Sequence, residues 1–134
     1  MMMATEMTTP SLELATRILG EAGFEDRLVG VKIAQMGGAN PTGLYTLADA
    51  AAFLKIDSYD ELVGSVGRAT VGYIEPKALA SWVSGVFGDE ELAEAIRAEA
   101  ERSEFYAQTV EPVKALLESR LSQCREVVGA AEPA

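Results

Sequence analysis

The sequence predicts a mainly α protein: a compact helical domain with one short strand or hairpin near 69–75 and two C-terminal amphipathic helices. Three observations lead there. At 134 residues the chain fits one domain. It is 49% hydrophobic but only 7% aromatic, so its core must be built mainly from Leu, Val, Ile and Ala. Its clearest apolar patterning recurs at helical spacing near the C-terminus, where Val113, Leu116, Leu117, Leu121, Cys124 and Val128 fall at i, i+3, i+4, i+8, i+11 and i+15.

Residues 1–8 read as a flexible tail. Thr9-Pro10 is a helix start, with Thr9 as N-cap and Pro10 at the first helical position. Leu12, Ala15, Ile18, Leu19 and Ala22 follow at helical spacing, and Gly23 closes the helix. A second helix is expected from Glu25 to Met36, although the β-branched residues Val29, Val31 and Ile33 make a strand a competitor. Gly37 to Gly43 contains three glycines and Pro41 and reads as a loop.

Thr46-Leu47-Ala48-Asp49 is a capping-box variant that opens a helix from Leu47 to about Lys55. Ser58 is positioned to cap a short helix over Tyr59 to Val63, and Gly67 ends it. Thr70, Val71, Tyr73 and Ile74 are strand formers. Pro76 begins a helix carrying Leu79, Trp82, Val83 and Val86, interrupted by Gly85 and ended by Gly88. Asp89, Glu90 and Glu91 start the next helix, where negative charge suits the helix dipole. Pro112 cannot sit deep inside a helix, so a break is expected near Gln108-Thr109, with Thr109 capping the last helix. Residues 9–88 form the expected body, 89–128 a helical pair packing on that body or on a partner, and 129–134 a second flexible tail.

The formal charge is −10 and its distribution is uneven. Residues 89–134 hold five basic and eleven acidic groups, net −6. Such a surface repels phosphate backbones and anionic lipid. No apolar stretch approaches the roughly 20 residues that cross a bilayer. With a single cysteine, Cys124, and no basic-then-apolar leader, the chain reads as cytoplasmic.

There is no histidine. That removes a Ser-His-Asp triad, a Cys-His pair and every His-ligated metal site. Cys124 lies on the apolar stripe and reads as a small buried hydrophobe. The acids around Asp57, Asp60 and Glu61 lack the alternation and glycine of a calcium loop. Glu90, Glu94 and Glu101 read as a solvated face. Gly38 to Gly43 has the outer spacing of a phosphate loop, but Leu44 and Tyr45 stand where Lys and Ser/Thr are required. Gly64-Ser65-Val66-Gly67-Arg68 reads as a tight turn before a strand, with an anion site as its alternative. No catalytic, cofactor-binding or metal-ligating residue is assigned, and no cofactor is expected.

Tyr45-Thr46-Leu47-Ala48-Asp49-Ala50-Ala51-Ala52-Phe53-Leu54-Lys55-Ile56 resembles the first helix of the winged helix-turn-helix of excisionase and MerR-type DNA-binding proteins. Arg68 to Trp82, with Leu79-x-x-Trp82, is similar to the wing strand and closing helix of that module. The resemblance implies a degenerate winged-helix-like unit over 45–88 and a DNA-binding regulator with a dimerising helix after it. The segment that would be the recognition helix, 57–66, has three acids and no Lys or Arg, and base and phosphate contacts want the reverse.

Three functions follow in order. The first is a non-enzymatic protein-interaction or regulatory module that docks on a protein, or on a second copy of itself, through Val113, Leu116, Leu117, Leu121, Cys124 and Val128. The second is a DNA-binding regulator with Arg68 and Lys77 flanking the wing. The third is a small-ligand binder or enzyme built on Arg68, Tyr73, Lys77 and nearby carboxylates.

Overall fold

The computed structural model describes residues 7–34, 38–56, 70–103 and 106–131. The chain is mainly α-helical, as its composition predicts, and carries a small four-stranded antiparallel sheet. The elements in order are α1 (Leu12–Ile18), β1 (Leu28–Ala34), β2 (Gly38–Leu44), α2 (Leu47–Phe53), β3 (Lys55–Ile56), β4 (Thr70–Tyr73), α3 (Pro76–Trp82), α4 (Glu90–Arg102) and α5 (Tyr106–Ala131).

Local capping chemistry sets most of the helix starts. Thr46 accepts from the Asp49 N–H at 2.9 Å, and Asp49 accepts in return from the Thr46 N–H at 3.3 Å, completing the expected capping box. Glu75 caps α3, whose first residue is Pro76. α1 begins later than the Thr9-Pro10 signature implies. Ser11 is its N-cap, accepting from the Leu14 N–H at 3.1 Å, while Pro10 is buried. The helix also stops at Ile18, before Gly23.

The largest departure from expectation lies between Glu25 and Gly43. The helix expected there is a hairpin: β1 pairs with β2 in register from Leu28 opposite Leu44 to Ala34 opposite Gly38. The glycine-rich expected loop is therefore β2, an edge strand in the order β2-β1-β4-β3. An edge is where a sheet tolerates Pro41. The β-branched run settles on a strand because β4 offers a second partner, with Val31 opposite Tyr73 and Ile33 opposite Val71.

The inner face of the sheet receives α2. Leu28 and Leu44 are buried there, and the Phe53 ring lies over Gly30. At Gly72 the approach is closer still. A Cβ at this position would stand 1.8 Å from the Phe53 carbonyl oxygen, which is backbone and cannot rotate away.

After α3 the helix widens into a π turn over Val83–Phe87 and ends at Gly88, whose φ of 76° is left-handed. Gly85 lies inside that turn, where the sequence predicts an interruption. Trp82 meets Phe87 edge to face at 5.0 Å and donates from Nε1 to the Asp26 carbonyl at 2.7 Å, tying α3 to the start of the hairpin.

Two C-terminal helices are present, but their boundary is not near Thr109. α4 ends at Arg102 and α5 starts at Tyr106, so Pro112 sits in the second turn of a 26-residue helix. Thr109, Val110 and Val113 are all buried around it, and this packing holds the helix through the hydrogen bond that Pro112 cannot make. The helix also continues through 129–131, where a tail is expected. The expected helix over Tyr59–Val63 and the Gly64–Arg68 turn lie outside the described residues.

Gly72→Ala drives a methyl group into backbone. The expected loss is about 3 kcal/mol, at the upper end of overpacking costs, read as a lower urea midpoint. An unchanged midpoint would show that α2 does not sit this close to the sheet.

Candidate functional site

The α5 stripe singled out by the sequence faces the chain's own body. Val113, Leu117, Leu121 and Cys124 are buried in the core with Ile18, Leu47, Ile74, Leu79, Leu92 and Ile96. Leu116 and Val128 are partly buried against the same core. The surface is thus occupied within the chain, the alternative left open by a pattern that cannot say which partner an apolar face meets.

One residue of that face was misplaced by its charge. Arg120 reads from sequence as lying off the stripe, yet it is 1% exposed and stands between Leu117 and Cys124 in the core. All five of its N–H groups are used. Nε donates to Asp89 Oδ2 at 2.8 Å, and Nη2 donates to Asp89 Oδ1 at 3.0 Å and Glu91 Oε1 at 3.1 Å. Nη1 donates to the Thr8 carbonyl at 2.7 Å and to Gln123 Oε1 at 2.8 Å. Asp89 is also 1% exposed, and its Oδ1 accepts from the Leu92 N–H at 3.1 Å as the cap of α4.

The same group of residues holds the chain ahead of α1. Thr8 donates its N–H and hydroxyl to the two oxygens of Glu91 at 2.9 and 2.8 Å, and Gln123 Nε2 donates to the Met7 carbonyl at 2.9 Å. Met7 is buried, so residues 7 and 8 are not part of the tail expected there. Among the described residues no buried side-chain nitrogen or oxygen lacks a partner. A cluster whose donors and acceptors are all matched within the chain is a structural lock.

The ionisation of these groups follows from their neighbours. The Thr8 backbone N–H holds Glu91 below its ordinary value of 4.5; burial opposes this, while the Thr8 hydroxyl and Arg120 add to it. Burial works against the charge of Arg120, but hydrogen bonding and attraction to Asp89, with help from Glu91, outweigh it and keep the pKa above the ordinary value. Burial pushes the Cys124 thiol up, against the opposing pull of Arg120. Cys124 is therefore a protonated, enclosed thiol and not a nucleophile.

The ligand candidates are dispersed or undescribed. Tyr73 is at the end of β4 and half-buried, while Lys77 is exposed in the first turn of α3. Arg68 lies outside the described residues. Gly38 to Gly43 is a paired strand and cannot curl around a phosphate. The described residues contain no group of three or more Cys, Asp or Glu side chains placed to hold a metal, and no helix long and apolar enough to cross a membrane. Lys114 reaches across to the end of α2, donating to the carbonyls of Ala51 at 2.7 Å and Leu54 at 3.3 Å. It is a cap for carbonyls that the helix leaves unpaired.

What sequence reasoning missed is the outer face of the sheet. Residues opposite one another in an antiparallel pair share a face, so Val29, Val31 and Ile33 stand beside Gly43, Pro41 and Ala39. Val29 is 50% and Ile33 42% exposed, and Ala39, Pro41 and Gly43 are exposed. The polar side chains of the hairpin, Lys32, Asn40 and Thr42, alternate to the side of Leu28 and Leu44, where Lys32 and Asn40 are exposed beyond the buried leucines. The signal was available in the alternation of residues 28–33, had that run been read at a period of two. Comparison with family models, with curated proteins and with solved structures found no match to this chain.

Arg120→Met strands the Asp89 carboxylate in the core and is expected to cost about 3–5 kcal/mol in urea unfolding. A loss below about 1 kcal/mol would mean that the carboxylate finds water. Because the folded-state pKa of Glu91 is depressed, its stabilisation is complete above 4.5 and lost as pH falls through the folded value. Glu91→Gln is therefore expected to flatten the acid limb of the stability curve while leaving its slope near neutrality unchanged. Cys124 should react with a thiol reagent only as fast as the protein unfolds; rapid labelling of the folded protein would contradict its enclosure.

Proposed function

We propose that this chain is a non-enzymatic protein-interaction module whose contact surface is the outer face of the β2-β1-β4-β3 sheet. The observation that carries this reading is the inverted polarity of the hairpin. An antiparallel sheet with one solvated face ordinarily turns its polar side chains outward. Here the outward positions of β1 and β2 are Val29, Val31, Ile33, Ala39, Pro41 and Gly43, without one polar side chain among them. A contiguous apolar patch on a folded domain is characteristic of a surface that another protein covers.

Two further features support it. The apolar stripe of α5 is already filled by the core, so it is not free for a partner. The Arg120–Asp89 group spends its hydrogen-bonding capacity within the chain. Ile33 and Val29 gain nothing from their exposure in the isolated chain, and a covering protein gives them the burial they lack.

A photo-reactive amino acid placed at position 33, with a control at the exposed position 125, tests this in the native cell. The expected result is a discrete set of covalent protein adducts from position 33 and none from position 125. Equal background labelling from the two positions would remove the reading.

A further inference from the structure

We propose that Met7 and Thr8 form a strap that acid releases as a unit, ahead of the helices beneath it, with the carboxylate of Glu91 as the trigger. The inference is independent of the sheet surface proposed above.

The strap is held largely by side chains that grip its backbone. Glu91 accepts from the Thr8 N–H at 2.9 Å through Oε2 and from the Thr8 hydroxyl at 2.8 Å through Oε1. Arg120 Nη1 donates to the Thr8 carbonyl at 2.7 Å, and Gln123 Nε2 donates to the Met7 carbonyl at 2.9 Å. Regular structure begins only at Leu12, beyond Thr9, Pro10 and Ser11. A short segment tied to the fold by a few such bonds opens more readily than the core it lies on.

Two acids divide the work. Asp89 is 1% exposed; it takes two bonds from Arg120 and caps α4, so it joins α4 to α5. Glu91 carries the strap, and its side chain is 37% exposed. Water reaches Glu91 and not Asp89, so Glu91 can take up a proton while the helices stay together.

Protonation turns one of its contacts around. The ionised carboxylate offers acceptors only, and it faces three donors: the Thr8 N–H, the Thr8 hydroxyl and Arg120 Nη2. Once protonated, one oxygen is a hydroxyl with a hydrogen of its own to place. The Thr8 hydroxyl can rotate to receive it, but the Thr8 N–H and the guanidinium cannot. The attraction to Arg120 is lost as well. With the strap lifted, Arg120 keeps both oxygens of Asp89 and Oε1 of Gln123, so α4 and α5 remain joined.

The direction of the switch follows from the contacts. The Thr8 N–H holds Glu91 below 4.5 against the effect of burial, and the Thr8 hydroxyl and Arg120 add to it. The closed strap therefore favours the ionised acid. It is fully held above 4.5 and loosens as pH falls through the lower value of the closed state. Arg120 is the charge that faces Glu91 from α5, and Cys124 beyond it is protonated. On α4, Asp89 is bound to Arg120, Glu90 to Ser84 and Glu94 to Arg97. Met7 and Thr8 bring no titratable side chain.

Native-state hydrogen exchange on the full chain tests the proposal, comparing protection of the Thr8 amide with that of Leu117 in the middle of α5. Between about pH 6 and pH 3.5, the range in which carboxylates titrate, Thr8 should lose protection while Leu117 keeps it. Glu91→Gln places an NH2 donor where an acceptor stood and imitates the protonated acid. It should lower Thr8 protection about tenfold or more at neutral pH and remove its pH dependence. Gln123→Ala takes away the Met7 contact and leaves the trigger, so protection should drop at every pH and still vary with pH. Unchanged Thr8 protection in Glu91→Gln overturns the proposal. So does a pH dependence that survives in that variant, which would place the trigger elsewhere. Loss of protection at Thr8 and Leu117 together, in acid or in Glu91→Gln, would show that strap and helices open as one, and overturns it too.

Discussion

The fold turns on a charge placed where charge is most costly. Arg120 lies in the core at the middle of α5, and a lone guanidinium there would be untenable. It is admitted because five acceptors surround its five N–H groups in the planar fork that only arginine presents. Those acceptors come from three parts of the chain. Asp89 and Glu91 belong to the start of α4, Gln123 to the next turn of α5, and the Thr8 carbonyl to the segment before α1. Satisfying one side chain therefore fixes the angle of α4 on α5 and pins the N-terminal segment against both. Apolar contacts alone hold such elements together without specifying one register, since Leu and Ile pack against many neighbours at similar energy.

The sheet has two unlike faces. α2 approaches the inner face so closely that Gly30 and Gly72 are needed beneath Phe53. Lys114 of α5 then closes the end of α2 by donating to two of its last carbonyls. On the other side Val29 and Ile33 of β1 and Ala39, Pro41 and Gly43 of β2 remain exposed, while Val31 is half-buried.

This changes where an interaction surface belongs. An amphipathic helix and an amphipathic strand pose the same question, which is what covers the apolar side. For α5 the covering is the chain's own core, and the long stripe is spent on folding. For β1 the outer side stays open at Val29 and Ile33, although they are as apolar as the residues of the stripe. A short patterned segment that the fold leaves open can be the better functional candidate than a long one that it closes.

The helices at Leu47, Pro76 and Glu90 were legible because their signals are local: a capping box, a proline at the first position, a run of three acids at the start. So were the strand near 70–73, the left-handed glycine at 88 and the enclosure of Cys124, each of which depends on a few neighbouring residues or on a simple apolar period. The absence of histidine, and the chemistry it removes, is likewise a property of the chain and of no particular fold. The tertiary structure alone decided the rest. Residues 28–34 became a strand because β4, some forty residues away, offered a second partner, and the glycine-rich stretch after them became an edge strand because β1 was there to pair with. Pro112 stayed inside a helix because buried neighbours on both sides outweigh one lost hydrogen bond. Arg120 entered the core because its acceptors arrive from positions 8, 89 and 91. Local sequence encodes what a segment favours by itself. Which of its faces is covered, and by what, is a free energy shared between distant segments, and it exists only once they have met.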